Sequence, residues 1–196
     1  MSERRAELTR RTTETEIVLR LDLEGTGAVR LDTGIGFLDH MLTQFAVHGL
    51  IDVDIEARGD LDVDGHHTVE DVGIALGGAL AQALGDRAGI RRYGAGLVPL
   101  DEALARVVVD LSGRPGCYGA VPLDGAIGTF DCELVWEFLV GFSRAGALTL
   151  HVAVLSGDNR HHIVEAVFKA LGRAVDEATT VEARRGAVPS SKGRLT

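Results

Sequence analysis

Two stretches of the chain carry adjacent histidines with a glutamate close behind: DGHHTVED at residues 64–71 and DNRHHIVEA at residues 158–166. On a helix, His66 and Glu70, like His161 and Glu165, would lie four positions apart on one face, with Cβ atoms about 5–6 Å from each other. His67 and His162, three positions ahead of the same glutamates, can reach them as well. Adjacent residues diverge by roughly 100° around a helix axis, so one ion does not easily take both members of a pair. Two facing copies solve this. Each of two ions would take one histidine from each pair, the glutamate of one copy, and His40 or Glu137 of that same copy. Imidazole nitrogen and carboxylate oxygen, with no sulfur, suit Mn2+, Fe2+ or Zn2+. A single HHxxE would be as well explained by a helix cap; its repetition at matched places favours a metal site. Which histidine serves which ion stays open.

The elements that must position these residues are themselves written twice. TEIVLRLDLE places Ile17, Leu19, Leu21 and Leu23 on one face at period two, and GTG then turns the chain into AVRLD, which predicts a hairpin. GFLDHMLTQFAVHG has helical spacing and stops at Gly49; LIDVDIEA alternates as a half-buried strand; His66 to Leu84 reads as a second helix. The second half repeats this order, with ARVVVDLSG and CYGAVPL as strands, CELVWEFLVGFSRAG as a helix, ALTLHVAVL as a strand and HHIVEAVFKALGRAVDEA as a helix. The predicted class is α+β: a tandem duplication of a strand-strand-helix-strand-helix half-domain, with antiparallel-rich sheets and helices on one face of each. The half-repeats are 1–92 and 93–196, with the boundary near RRYGAGLVPL and a shared core. Aligning the histidine pairs places Phe45 on Phe142 and His40 on Glu137.

Composition limits what such a chain can be. At 196 residues it is long enough for a substantial core, and its 45% hydrophobic and 25% charged fractions are those of a soluble domain. A formal charge of −9 argues against a nucleic-acid surface. No apolar run approaches the roughly 20 residues that span a bilayer, and the charged N-terminal run MSERRAELTRRTTETE has no apolar middle, so the expected location is cytoplasmic and no membrane partner is expected. Cys117 and Cys132 are read as reduced, structural thiols.

TGIGFLDHML, DVDGHHTVEDVGIALG, LSGRPG, HHIVEAVFKALGRA and PSSKG, in this order, closely resemble the imidazoleglycerol-phosphate dehydratase family, and the likeness runs from RRTTETEI at residue 10 to residue 193. The resemblance implies a cage of 24 subunits with active sites between subunits, and two Mn2+ per active site. It places metal ligands on His40, His66, His67, Glu70, His161, His162 and Glu165. An eighth ligand position, often histidine in the family, falls on Glu137. The implied substrate is the small molecule imidazoleglycerol phosphate, dehydrated to imidazoleacetol phosphate through an imidazolate and a diazafulvene-like intermediate. Proton transfer needs a carboxylate, and Glu14 is the first candidate. Glu70, Glu165 and His48 complete the catalytic set; His48 and His40 also match substrate-contacting positions. Asp101 and Glu102 are acidic candidates of the same rank as His48. Arg92, Arg114, Ser190, Ser191 and Lys192 match the family's phosphate-holding positions. Two rival readings are a metal-storage or metal-sensing protein, which needs no phosphate grip, and a dinuclear phosphate-ester hydrolase, which would favour bridging aspartates over imidazoles.

Overall fold

The computed structural model describes residues 4–195; Met1–Glu3 of the charged N-terminal run and Thr196 lie outside the described residues. The first half runs β1 (Arg5–Arg11), β2 (Thr15–Asp22), β3 (Val29–Asp32), α1 (Gly36–Gly49), β4 (Asp52–Gly59) and α2 (His66–Leu84). The second runs β5 (Tyr93–Leu100), β6 (Ala103–Asp110), β7 (Gly116–Ala120), β8 (Ala126–Ile127), β9 (Phe130–Asp131), α3 (Leu134–Ala145), β10 (Thr149–Ser156) and α4 (Arg160–Thr179). Two four-stranded sheets result, with orders β1-β2-β4-β3 and β5-β6-β10-β7. In each, two pairings are antiparallel and the last is parallel. The α+β class and the duplicated plan are as expected from the sequence.

Three details differ from the sequence reading. The expected hairpin of TEIVLRLDLE with AVRLD does not form, because β4 lies between β2 and β3. The GTG loop crosses the start of β4 instead, where the Asp52 carboxylate accepts the N–H groups of Thr26 at 2.7 Å and Ala28 at 2.8 Å. The charged run before residue 15 contributes the edge strand β1, which turns only Ala6, Leu8 and Arg10 inward. RRYGAGLVPL, read as a boundary, is β5 from Tyr93 onward. Its inward positions Gly94 and Gly96 lie against α4, where a Cβ would meet the carbonyl oxygens of Ala174 and Ala170. A strand whose inward residues must be glycine shows no apolar alternation.

One hydrophobic cluster spans both halves. Phe45, Phe138, Phe142 and Phe168 are fully buried within it, each worth roughly 1.5–3 kcal/mol of burial. Phe45 and Phe142, equivalent in the repeat, meet edge-to-face at 6.2 Å. Across the halves α1 packs on α4 and α2 on α3 at glycines. A Cβ on Gly172 would strike the carbonyl oxygen of Phe45 and come within 3.0 Å of the Gly49 nitrogen, and Gly77 is held in the same way by Phe142 and Gly146. Gly49 is therefore small for packing; the left-handed residue that ends α1 is Leu50, at φ 52°. Among the described residues no helix is long and apolar enough to cross a membrane. Cys117 and Cys132 are free thiols, and burial pushes Cys117 up to about 11, so neither offers a ready thiolate.

Candidate metal centre and substrate site

The crossing of α1 with α4 carries His40 to the second copy's motif. His40 Nε2 lies 3.1 Å from Glu165 Oε2, and His161 Nε2 lies 3.0 Å from the same oxygen. These three donor atoms all lie within 4.8 Å of one another, with no sulfur among them. That donor set fits one divalent ion of the Mn, Fe or Zn kind. The sequence reading grouped His40 with the glutamate of its own copy; in the structure it lies against Glu165 of the other copy, because α1 packs across the halves on α4.

Glu165 is largely buried. Burial pushes its carboxyl up, but the hydrogen bond from Lys169 Nζ, 2.7 Å from Oε1, and those with His40 and His161 outweigh this and leave it below its usual value. Lys169 was passed over in the sequence because a lone lysine on an amphipathic helix carries no motif. In the first half, His66 Nε2 is 3.9 Å from Glu70 Oε2. Glu137, half-buried in the first turn of α3, occupies the place on α3 that His40 occupies on α1. A Cβ on Gly141, one turn further along α3, would lie 2.9 Å from the Glu70 carbonyl, so Glu70 and this helix are close neighbours.

His67 and His162 are held differently from their neighbours. Asp60 contacts His67 Nδ1 through both oxygens, at 3.1 and 3.0 Å, and Glu102 contacts His162 Nδ1 at 2.8 Å. A carboxylate on Nδ1 favours a proton there and leaves the Nε2 lone pair for a metal. These hydrogen bonds raise both imidazoles above their usual value and bring Glu102 down to about 2. Asp101, Glu102 and His162 also gather three donors within 4.8 Å, but Nδ1 is occupied by Glu102 there, so this group reads as support for a ligand. Asp60 was missed in the sequence. It precedes its histidine by seven residues across a loop, and only the fold brings them together.

Glu14 stands at the tip between β1 and β2, its Oε1 3.7 Å from His67 Nε2. The second hairpin tip instead presents Glu102, whose backbone neighbours Asp158 and Asn159 donate to it. His48 lies in the last turn of α1, two turns beyond His40, about 12 Å along the axis. Partial burial of its ring, then the cations Lys169 and Arg173, push its imidazole down. It makes no part of the three-donor cluster.

The phosphate candidates gather elsewhere. Arg92, Arg114, Ser190, Ser191 and Lys192 line a cavity of about 350 Å3 together with Arg194 and Leu195. Four cations around one hollow are notable in a chain of net charge −9. Arg92 is the least available of them: Nε and one terminal nitrogen fork onto Asp110 at 2.7 and 3.1 Å, and the other donates to Pro189 O at 2.8 Å. Arg194 escaped the sequence reading, although it follows SSKG directly. The cavity sits by Asp110, at the opposite end of β6 from Glu102. Seven strand steps of ~3.3 Å separate those ends by ~23 Å. A larger hollow of about 490 Å3 lies on the first sheet and holds none of these residues. Its charges answer one another, as Arg5 does Asp22 at 2.7 Å and Arg20 does Asp54 at 3.5 Å.

The family model for imidazoleglycerol-phosphate dehydratase matches residues 33–175. The chain is 58% identical over 194 residues to the imidazoleglycerol-phosphate dehydratase of Polaromonas sp. (strain JS666 / ATCC BAA-500), covering 98% of this chain and 94% of that one. It is 55% identical over 197 residues to that of Pseudomonas aeruginosa (strain UCBPP-PA14), covering 100% of both. Its fold is similar to the crystal structure of the Staphylococcus aureus subsp. aureus N315 enzyme, with a TM-score of 0.81 and 38% identity over 91% of this chain and 99% of that one. The Pyrococcus furiosus structure, in complex with (S)-C348, gives a TM-score of 0.84 and 39% identity over 96% of this chain and 100% of that one. The chain belongs to the imidazoleglycerol-phosphate dehydratase family.

Proposed function

We propose that the chain is a metal-dependent lyase whose ions sit between its duplicated halves, 1–92 and 93–196, and whose phosphate grip comes from a neighbouring copy. Its family dehydrates imidazoleglycerol phosphate in histidine biosynthesis, and this chain does the same. The observation that carries the reading is the convergence of His40, His161 and Glu165 from opposite halves. His40, His161 and Glu165 would hold one divalent ion, and His66, Glu70 and Glu137 the other. His67 and His162, each with Nδ1 engaged by a carboxylate, offer Nε2 to complete these spheres across a subunit boundary. The ions, Mn2+ by family resemblance and Fe2+ or Zn2+ by donor chemistry, supply positive charge that stabilises a ring losing its N–H proton.

The chain's own groups do the rest. Glu14 takes the proton from the second carbon out from the ring, the hydroxyl on the carbon beside the ring departs as water, and the resulting enol settles to a ketone. His48, in the last turn of α1, would serve as a substrate contact. Arg114, Lys192, Arg194, Ser190 and Ser191 hold the phosphate, with Arg92 as a buttress in the wall of the same hollow. The separation of ~23 Å between that hollow and the histidine end of β6 supports active sites shared between subunits, since one small substrate cannot span it. The outward face of the second sheet supports assembly too, for it exposes Tyr93, Leu97, Tyr118 and Leu155, each at least half exposed. A 24-subunit cage and a cytoplasmic setting complete the proposal. Purified protein with manganese and imidazoleglycerol phosphate tests it: the ketone should form with no inorganic phosphate released. Phosphate release would favour an ester hydrolase, and no turnover would favour metal storage.

A further inference from the structure

The two sheets match row by row. Arg5, Asp22 and Asp52 are partners across the first, and Tyr93, Asp110 and Thr149 across the second. Counting from these rows, Arg10 corresponds to Val98 and Thr15 to Ala103; the histidine motifs match Asp71 with Ala166. In the second half this spot is apolar, with Ala103 and Ala166 buried and Val98 packed on the core. In the first half it is a buried polar network. Asp71 accepts from Arg10 at 2.7 Å through Oδ1, and from the Thr15 hydroxyl through Oδ2. Thr15 Oγ1 lies 3.2 Å from Thr12 Oγ1, which accepts the backbone N–H groups of Glu14 at 3.1 Å and Thr15 at 2.9 Å. A continuous chain of hydrogen bonds thus runs from α2 to the Glu14 backbone.

The fold does not require this network, because its twin is built with apolar residues at the same places. Buried charge pairs are often no better for stability than well-packed apolar groups. Here the network also leaves Arg10 Nε buried without a partner among the described residues. What distinguishes the first hairpin is its task. The tip between β5 and β6 is a tight turn with Asp101 at φ 49°, and its Glu102 backs His162 Nδ1. The tip between β1 and β2 places Glu14 on the open Nε2 side of His67, a job that Asp60 leaves free by taking Nδ1. We propose that Asp71, with Arg10 and Thr15, is a positioning network that fixes the β1–β2 tip on α2 and so aims the Glu14 carboxylate at the reacting carbon. This rests on Glu14 being the proton-moving group.

The test transplants the second half's residues into the first: Arg10→Val, Thr15→Ala and Asp71→Ala together, measured for Tm, metal per chain, kcat and KM. The network predicts a folded protein of equal or higher Tm, with unchanged metal content and KM, and kcat lower by about 10–100-fold, as expected for a misplaced catalytic group. Adding Glu14→Gln to that variant should then cost little more, whereas Glu14→Gln alone should cost about 100-fold or more. If the transplant keeps full kcat while Glu14→Gln alone does not, the positioning proposal is overturned. If Glu14→Gln alone is harmless, the reading of Glu14 falls instead. Should the transplant fail to fold, Thr15→Val carries the test, since it breaks the hydrogen-bond chain at constant shape: a loss in kcat alone is expected, and an unchanged kcat overturns the proposal.

Discussion

Removing the carboxylate behind one imidazole should weaken metal binding while leaving the ligand itself in place. Asp60 touches His67 Nδ1 through two oxygens and Glu102 touches His162 through one. Restricting a neutral ring to one of two evenly populated tautomers is worth about twofold in affinity, because the Nε2 lone pair is then always free. Fixing the ring's orientation and raising its basicity add the remainder, and loss of such partners typically weakens binding about 10–100-fold. Asp60→Ala should therefore fall in that range, and Asp60→Asn, which keeps one oxygen acceptor, should fall at its lower end. The assay is a chelator-competition titration of metal-stripped protein with Mn2+, read alongside 15N NMR of the histidine rings, where Asp60→Ala should lose the Nδ1–H signature at His67. If both Asp60→Ala and Glu102→Ala bind metal as tightly as the parent, the argument that these carboxylates present Nε2 is refuted.

Other consequences can be checked directly. Gly172→Ala should lower stability by about 1–3 kcal/mol, because its Cβ would meet the backbone of Phe45 and Gly49; urea unfolding would show this as a lower midpoint. In metal-free protein, the Glu102–His162 pair stabilises the fold most between the ordinary values of 4.5 and 6.5. Its contribution fades as pH falls through 4.5 toward about 2, where Glu102 takes a proton, and as pH rises through the raised value of His162, where the ring becomes neutral. The Tm difference between the parent and Glu102→Gln should thus be largest near the middle of that window and vanish at both ends. Arg194→Ala should raise KM for the phosphorylated substrate by about tenfold or more with little change in metal content, as the loss of a charge-assisted hydrogen bond implies.

Long periodic segments were the most legible part of the sequence. The span from His66 to Leu84 is α2 end to end, and GFLDHMLTQFAVHG is α1, because amphipathic helices announce themselves at period 3.6. Strand pairing was less legible. Whether AVRLD pairs with the preceding strand or crosses to β4 depends on Asp52 capturing the Thr26 and Ala28 amides, a contact between residues 24 and 26 apart. β5 was hidden because its inward side chains are absent by necessity, and β1 because Arg10 replaces an apolar residue to reach Asp71. In the site, the repeated HHxxE pointed to His161 and Glu165, which do come together with His40, but the approach of His40 to the other half's glutamate follows from helix crossing and has no local signal. Asp60 escaped because only the fold brings it to His67, and Lys169 because a lone lysine four positions after Glu165 on α4 carries no motif.

The central claim is that imidazoles and glutamates from the two halves hold divalent ions that the reaction needs. The most direct measurement is elemental analysis of the active protein after chelator washing and reconstitution, set against turnover. The account predicts two ions per chain at full activity, falling to one in Glu137→Ala, with turnover lost when the metal is stripped and restored on adding it back. Full turnover in protein free of transition metal would contradict it.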